Sequence, residues 1–232
     1  MSFALMIFWE GATGALSNEA RMRLQRLITD LPGLARGMIY TPARGASDIY
    51  TDDGSGPALG LQIEAAQIET LEAACAKGGP LQALADPAFL AGFSGAKVTQ
   101  QVFVLRRFEV EDAVLRTPEG AKPCSYVVHY PGPAQDLNHW LDHYIAGHPP
   151  IMRRFPGIRG IEILTRADWV SALPFARADH MQRNRVLFDS PEALTAALHS
   201  PVRHEMREDF HTFPPFEGGN FHYAMNTDII GG

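Results

Sequence analysis

The sequence predicts an α+β chain in which one β-α-β-β-α-β order runs twice. Three observations predict it. Apolar and alternating runs, separated by amphipathic stretches, give that order in each half. Leu31-Pro-Gly-Leu34 answers to Phe155-Pro-Gly-Ile158, and Leu71-Glu-Ala-Ala-Cys75 to Leu194-Thr-Ala-Ala-Leu198, at offsets that agree to one residue. Between the halves, Glu111–Pro123 is charged and carries Thr117-Pro118 and Glu119-Gly120, which reads as a linker. The expected units are residues 1–112 and 124–232.

Taken in order, Phe3–Trp9 is a continuous apolar run and reads as a buried strand. Ser17-Asn-Glu starts a helix to about Asp30, with Leu24, Leu27, Ile28 and Leu31 on one side. Gly37–Thr41 is the second strand, and the Gly-, Ser-, Asp- and Pro-rich stretch Ala43–Pro57 is a surface loop. Leu59–Ala65 alternates as a strand, Ile68–Lys77 is a helix stopped by Gly78-Gly79-Pro80, and Lys97–Val110 is a long strand. The second half repeats the pattern. It has strands at Ser125–Tyr130, Gly157–Thr165, Asp179–Phe188 and Asn220–Ile230, and helices at Asp136–His148 and Pro191–His199. Gly147, Pro149 and Pro150 are expected to end the first of these helices at His148, and Ser190 to cap the second.

Each half thus reads as a ferredoxin-like unit, a four-stranded antiparallel sheet with both helices on one face. Strands this apolar cannot leave the other face in water. Two such faces packed together give a pseudo-dimeric α+β barrel with helices outside and a small-molecule cavity expected inside.

Composition narrows the partners. Net charge is −6 without a basic patch, which argues against nucleic acid. No apolar run approaches the roughly 20 residues of a membrane span, and the opening Met1–Glu10 lacks the charged start and cleavage site of a secretion signal, so a cytoplasmic protein is expected. A homodimer is compatible with the chain. Cys75 and Cys124 offer neither a disulfide framework nor metal spacing.

All nine histidines lie at or after His129, so the second half is expected to carry the chemistry. Asp136, Trp140, Tyr144 and His148 follow one another at four-residue steps, placing a carboxylate, an indole, a phenol and an imidazole on one helical stripe. His180 and Asn184 alternate on one strand, and His222 and Asn226 on another. If these faces point into the barrel they converge with His129 on one polar pocket; the alternative is that the rows face the rim or solvent, each His paired to a backbone carbonyl. Trp169, in the insert Arg166–Arg177, suits either a lid over such a cavity or simple loop packing. His139 and His143 could share a metal from one helical turn, but a solvated face is the better reading, and no metal is expected. Dinucleotide, Walker and nucleophile-elbow motifs are absent, which leaves acid–base chemistry by His and Tyr.

The run Trp140-Leu-Asp-His-Tyr144, His148-Pro-Pro-Ile151 and Phe155-Pro-Gly-Ile158, with Phe188–Leu194, Ser200-Pro201 and Asp209-Phe-His-Thr-Phe213, resembles the EthD family of the dimeric α+β barrel superfamily. The resemblance covers about residues 125–230. It implies work on ethers, aromatic compounds or polyketides, by cofactor-independent dehydration, decarboxylation, isomerisation or cyclisation. Wider relatives include metal-free monooxygenases and haem binders. The family's histidine before proline corresponds to His148 and its aromatic positions to Trp140 and Tyr144, while Gly147 stands where the family often has a first histidine.

The expectation is therefore a cofactor-free lyase or isomerase acting on a small aromatic or polyketide-like molecule. His148 would be the acid or base, with His222, His129 and His180 as its partner pool and Tyr144 as a donor. Trp140, Trp169, Asn184 and Asn226 would bind substrate. The alternatives are a haem-binding or oxygen-using monooxygenase and a non-catalytic binding protein.

Overall fold

The computed structural model describes residues 2–54 and 56–231. Its strands are β1 (Ser2–Glu10), β2 (Leu34–Pro42), β3 (Leu59–Ala65), β4 (Lys97–Phe108), β5 (Cys124–Tyr130), β6 (Ile158–Arg166), the two-residue β7 (Ala176–Arg177), β8 (Gln182–Phe188) and β9 (Phe221–Ile230). The helices are α1 (Asn18–Thr29), α2 (Ile68–Cys75), α3 (Leu137–Met152), α4 (Pro191–Leu198) and α5 (Pro201–Phe210). Caps fix several starts as the sequence suggests: Ser17 accepts from the Ala20 amide and Ser190 from the Ala193 amide, both at 3.2 Å.

Eight strands close into an antiparallel barrel. The first half runs β2-β3-β1-β4 and the second β6-β8-β5-β9, the same order in each. The halves meet along both edges, through β2–β9 and β4–β6. The helix-free faces do turn towards each other, but they enclose a filled interior. Met6, Phe8, Met38, Tyr40, Phe103, Leu105, Val127, Leu164 and Met225 occupy it, so the cavity expected there is displaced. Two further apolar cores lie outside the barrel. One packs α1 and α2 on the first half, around Leu24, Ile28 and Leu71; the other packs α3, α4 and α5 on the second, around Trp140, Tyr144, Leu194 and Met206.

One end of the interior is ionic. Glu162 accepts from Arg185 Nε at 2.8 Å and Gln62 Nε2 at 2.9 Å, and pairs with Arg36 as well. Glu64 accepts from Gln62 at 2.7 Å and from Arg36 and Arg107. Side chains of both halves thus complete one another's hydrogen bonds. Burial opposes ionisation of Glu162, but Arg185 and then Arg36 prevail and hold its pKa down at about 2.

Two elements depart from expectation. α3 runs through Pro149 and Pro150 to Met152 rather than ending at His148. Both prolines fall in its last turn, where the Arg153 amide still reaches the Pro149 carbonyl at 3.0 Å, and Met152 and Phe155 anchor that turn in the core. Helix α5 went unforeseen, although Ser200-Pro201 and the row Val202, Met206, Phe210 carry a start signal and a four-residue period.

Glu162→Gln leaves Arg185 facing a neutral amide, and breaking a buried pair in this way costs ~3–5 kcal/mol. Urea or thermal denaturation should show that loss. A carboxylate lowered by folding stabilises most above its unfolded pKa, so the wild-type contribution should be complete above about 4.5 and vanish as pH falls towards about 2.

Candidate functional site

The strand register decides which residues meet. Across β5, β8 and β9, Val128 lies opposite both Asn184 and His222, so these three share the face under the helices. His129 lies opposite Arg183 and therefore points into the barrel. The helix-covered face and α3, α4 and α5 enclose a cavity of about 80 Å³. His148, Asn184, Arg203, His222, Tyr126 and apolar Val128, Met152 and Phe155 are among its walls.

Two histidine–carboxylate pairs bound this cavity. His148, on α3, is 4% exposed, and its Nδ1 lies 2.6 Å from Asp209 Oδ2 on α5. That bond leaves Nε2 as the free ring nitrogen. The ring packs on Tyr144 and Phe213, with centroids 4.7 and 5.0 Å away. Burial lowers the imidazole's pKa and Asp209 restores only part of it, so the ring is neutral at pH 7. Across the cavity, His222 sends Nδ1 to Asp53 Oδ2 at 2.9 Å, and its backbone amide donates to the same oxygen at 2.8 Å. Hydrogen bonding to His222, more than any other influence, holds Asp53 below the usual carboxylate range. His222 stacks on Tyr126 at 5.4 Å.

Asp53 comes from the first half. The loop after β2, expected to be mere surface, crosses the second half and closes the cavity. Asp48 is its anchor. Arg203 Nε lies 3.0 Å from both Asp48 oxygens, and Tyr126 donates its hydroxyl to Oδ2 at 2.7 Å. Burial works against the charge, but Arg203 and then Tyr126 offset it and keep Asp48 ionised. Tyr50 bonds His204 and lies under the Arg207 guanidinium at 4.5 Å. Beside the loop a wider groove of about 840 Å³ shares Thr51, Tyr126, Leu198 and His222 with the small cavity.

The remaining expected residues separate. Tyr144 is fully buried; Asn184 Nδ2 reaches its hydroxyl at 2.5 Å, and Asn184 Oδ1 has no protein partner. Trp140 stacks behind Tyr144 at 5.0 Å within a cluster of Tyr130, Phe213 and Phe216, so it is not a cavity wall. Asn226 lies outside the cavity, its amide on the Pro42 carbonyl at 3.3 Å. Trp169 lids nothing here. It belongs to the first half's core beneath Arg177, because its insert hydrogen-bonds Cys75 and Glu72 of α2. His129 and His180 sit together in the barrel, 5.4 Å apart, away from His148 and His222. The expected single pocket fails because alternate residues of β5 and β8 face opposite compartments.

Asp53, Asp48 and Arg203 were not singled out as site residues by sequence reasoning, and Asp209 entered it only as a minor candidate. Asp209 was the most legible, falling in the Asp209–Phe213 motif. Among the described residues, no group of three or more His, Cys, Asp and Glu side chains is placed to hold a metal. The cavity beside His148, about 80 Å³, is by itself smaller than a haem macrocycle. No helix among the described residues is long and apolar enough to cross a membrane.

No protein-family model matches this sequence, and no curated protein matches it. Solved structures do. An anthrone oxidase-like protein is 15% identical, with 100% of this chain and 94% of that one covered and a TM-score of 0.59. A Lactobacillus acidophilus NCFM protein provisionally designated a monooxygenase is 9% identical, with 100% and 97% covered and a TM-score of 0.55. An EthD family protein from Bacillus halodurans C-125 is 18% identical but covers 43% of this chain, with 96% of its own length and a TM-score of 0.33, too slight a match to argue from. At these identities the likeness is one of fold: this chain shares the α+β barrel of its full-length neighbours.

Proposed function

We propose that the chain is a cofactor-free acid–base enzyme acting on a small molecule, with His148 as the base. The observation that carries this reading is the His148–Asp209 pair, buried and turned into a cavity with its second nitrogen free. A neutral imidazole held by a carboxylate is suited to accept a proton, because the carboxylate stabilises the imidazolium that forms. His148 Nε2 would take a proton from an acidic C–H or O–H. The electron pair would stay on the substrate and spread into an adjoining carbonyl or ring. Returning the proton to another substrate atom completes an isomerisation; giving it to a departing group completes an elimination. Arg203 would bind the oxygen on which charge collects, while the open Asn184 Oδ1 would accept from a substrate donor.

The small cavity suits the reactive end of a substrate whose body lies in the adjoining groove. An aromatic or polyketide-like body remains the substrate class proposed here. We read residues 1–112 and 124–232 as two diverged ferredoxin-like copies, supported by the identical strand order of the halves. A second reading draws on the monooxygenase-type designations of the fold neighbours. In it the same proton removal yields a carbanion that reacts with dioxygen, and oxygen uptake during turnover separates it from the first.

His148→Ala should lower turnover at least ~100-fold, the usual scale of general-base catalysis. Asp209→Asn should lower it too, yet add nothing when combined with His148→Ala; additive losses would show that the two do not act as one unit. Since the active form is the neutral ring and burial depresses its pKa, the acid limb of kcat/KM should lie below the ~6.5 of an ordinary histidine.

Asp48→Asn weakens the loop's anchor on Arg203. Charged hydrogen bonds contribute ~1.5–3 kcal/mol, so amide exchange across residues 43–54 should accelerate ~10-fold or more. The barrel strands should keep their protection.

A further inference from the structure

The barrel interior holds a cation that the acid–base reading leaves without a role. Arg183, on β8, is 1% exposed. Among the described residues it has no ion pair within 4 Å, and its Nε has no hydrogen-bond partner. What touches it is soft: the Phe8 ring at 4.8 Å, the Phe103 ring at 5.3 Å and, weakly, Met6 Sδ at 3.9 Å. The nearest acid acting on it is Glu10, at the end of β1, which influences it only through space.

Two imidazoles adjoin this guanidinium. His129 is 4% exposed and its Nε2 also lacks a partner; its ring packs on Phe8 at 5.2 Å, His180 at 5.4 Å and Tyr223 at 5.1 Å. His180 lies just before β8 and is only partly buried, so it marks the way in. Gln101 holds it there, taking the His180 amide at 3.0 Å and giving its own amide to the His180 carbonyl at 2.8 Å. The cluster therefore fixes a buried guanidinium whose hydrogen-bond acceptor among the described residues is Met6 Sδ alone, beside two imidazoles that can each present an N–H.

Burying an ion without a hydrogen-bonded counter-charge is costly, and contact with aromatic faces and the distant Glu10 offsets only part of that. An anion is the missing partner. We propose that Arg183, with His129 and His180, binds a small monocarboxylate at the end of the barrel away from the Glu162 network, where His180 meets solvent, in a site separate from the His148 cavity. The guanidinium's planar fork matches a carboxylate, and Met6, Phe8 and Phe103 offer an apolar wall for a short tail.

Charge selects a monoanion. Burial drags the Arg183 guanidinium down to about 9, which leaves it cationic at pH 7. Burial, and then Arg183 itself, keep His129 well below the ordinary histidine value and His180 at about 3, so both rings are neutral there. One positive charge is neutralised by one negative charge, and a phosphate dianion would leave an excess.

The test is calorimetric titration of the full chain with sodium propionate, against sodium chloride at equal ionic strength and against phosphate, with thermal unfolding alongside. Saturable propionate binding that raises Tm is expected, with no such effect of chloride. Arg183→Met should bind propionate at least ~10-fold more weakly, the scale of a lost charged hydrogen bond. Should that variant not fold, Arg183→Lys keeps the charge without the fork and should also weaken binding. In the wild type, the His129 ring proton resonance should move on saturation. Absence of saturable binding, equal affinity in the variants, or binding of phosphate in preference to propionate would each overturn the proposal.

Discussion

Everything in this molecule follows from a two-residue period imposed on a closed ring of strands. Neighbouring side chains along β5 and β8 enter different compartments, so Val128 and Asn184 face the helices while His129, Arg183 and Arg185 face the barrel axis. Eight strands leave an interior that side chains can just fill. Large apolar groups occupy its middle and the Glu64–Glu162–Arg185 network one end. Space for a ligand beside the histidine–carboxylate pairs therefore arises outside the ring, where α3 and α5 arch over the sheet.

The His148 ring is held by packing as much as by hydrogen bonds. Trp140 stacks on Tyr144, Tyr144 packs on His148, and Phe213 touches all three. Such aromatic contacts add ~0.5–1.5 kcal/mol each beyond burial. They also explain why the stripe from Asp136 to His148 is aromatic along its length: it forms a stack that fixes the imidazole while Asp209 sets its tautomer.

The architecture was legible because periodicity is local. Alternating and four-residue patterns marked all eight barrel strands, and the two Pro-Gly turns revealed the repeated order. His148 was legible too, because the stripe leads to it. The partners were not. Asp53 and Asp48 lie in a loop whose Gly, Ser and Asp content reads as solvent-exposed, and only the fold shows that it crosses to the other half. The grouping of His129 with His222 failed for a different reason. Counting along single strands does not fix the register between strands, and that register places the two rings on opposite sides of one sheet.

Closure of the ring has an outcome beyond the site. Each of the eight barrel strands has a neighbour on both sides, and among the described residues the two-residue β7, paired with β4 alone, is what remains as an edge. Recruitment of foreign β-structure, a common route to fibrils, finds little purchase on such a ring.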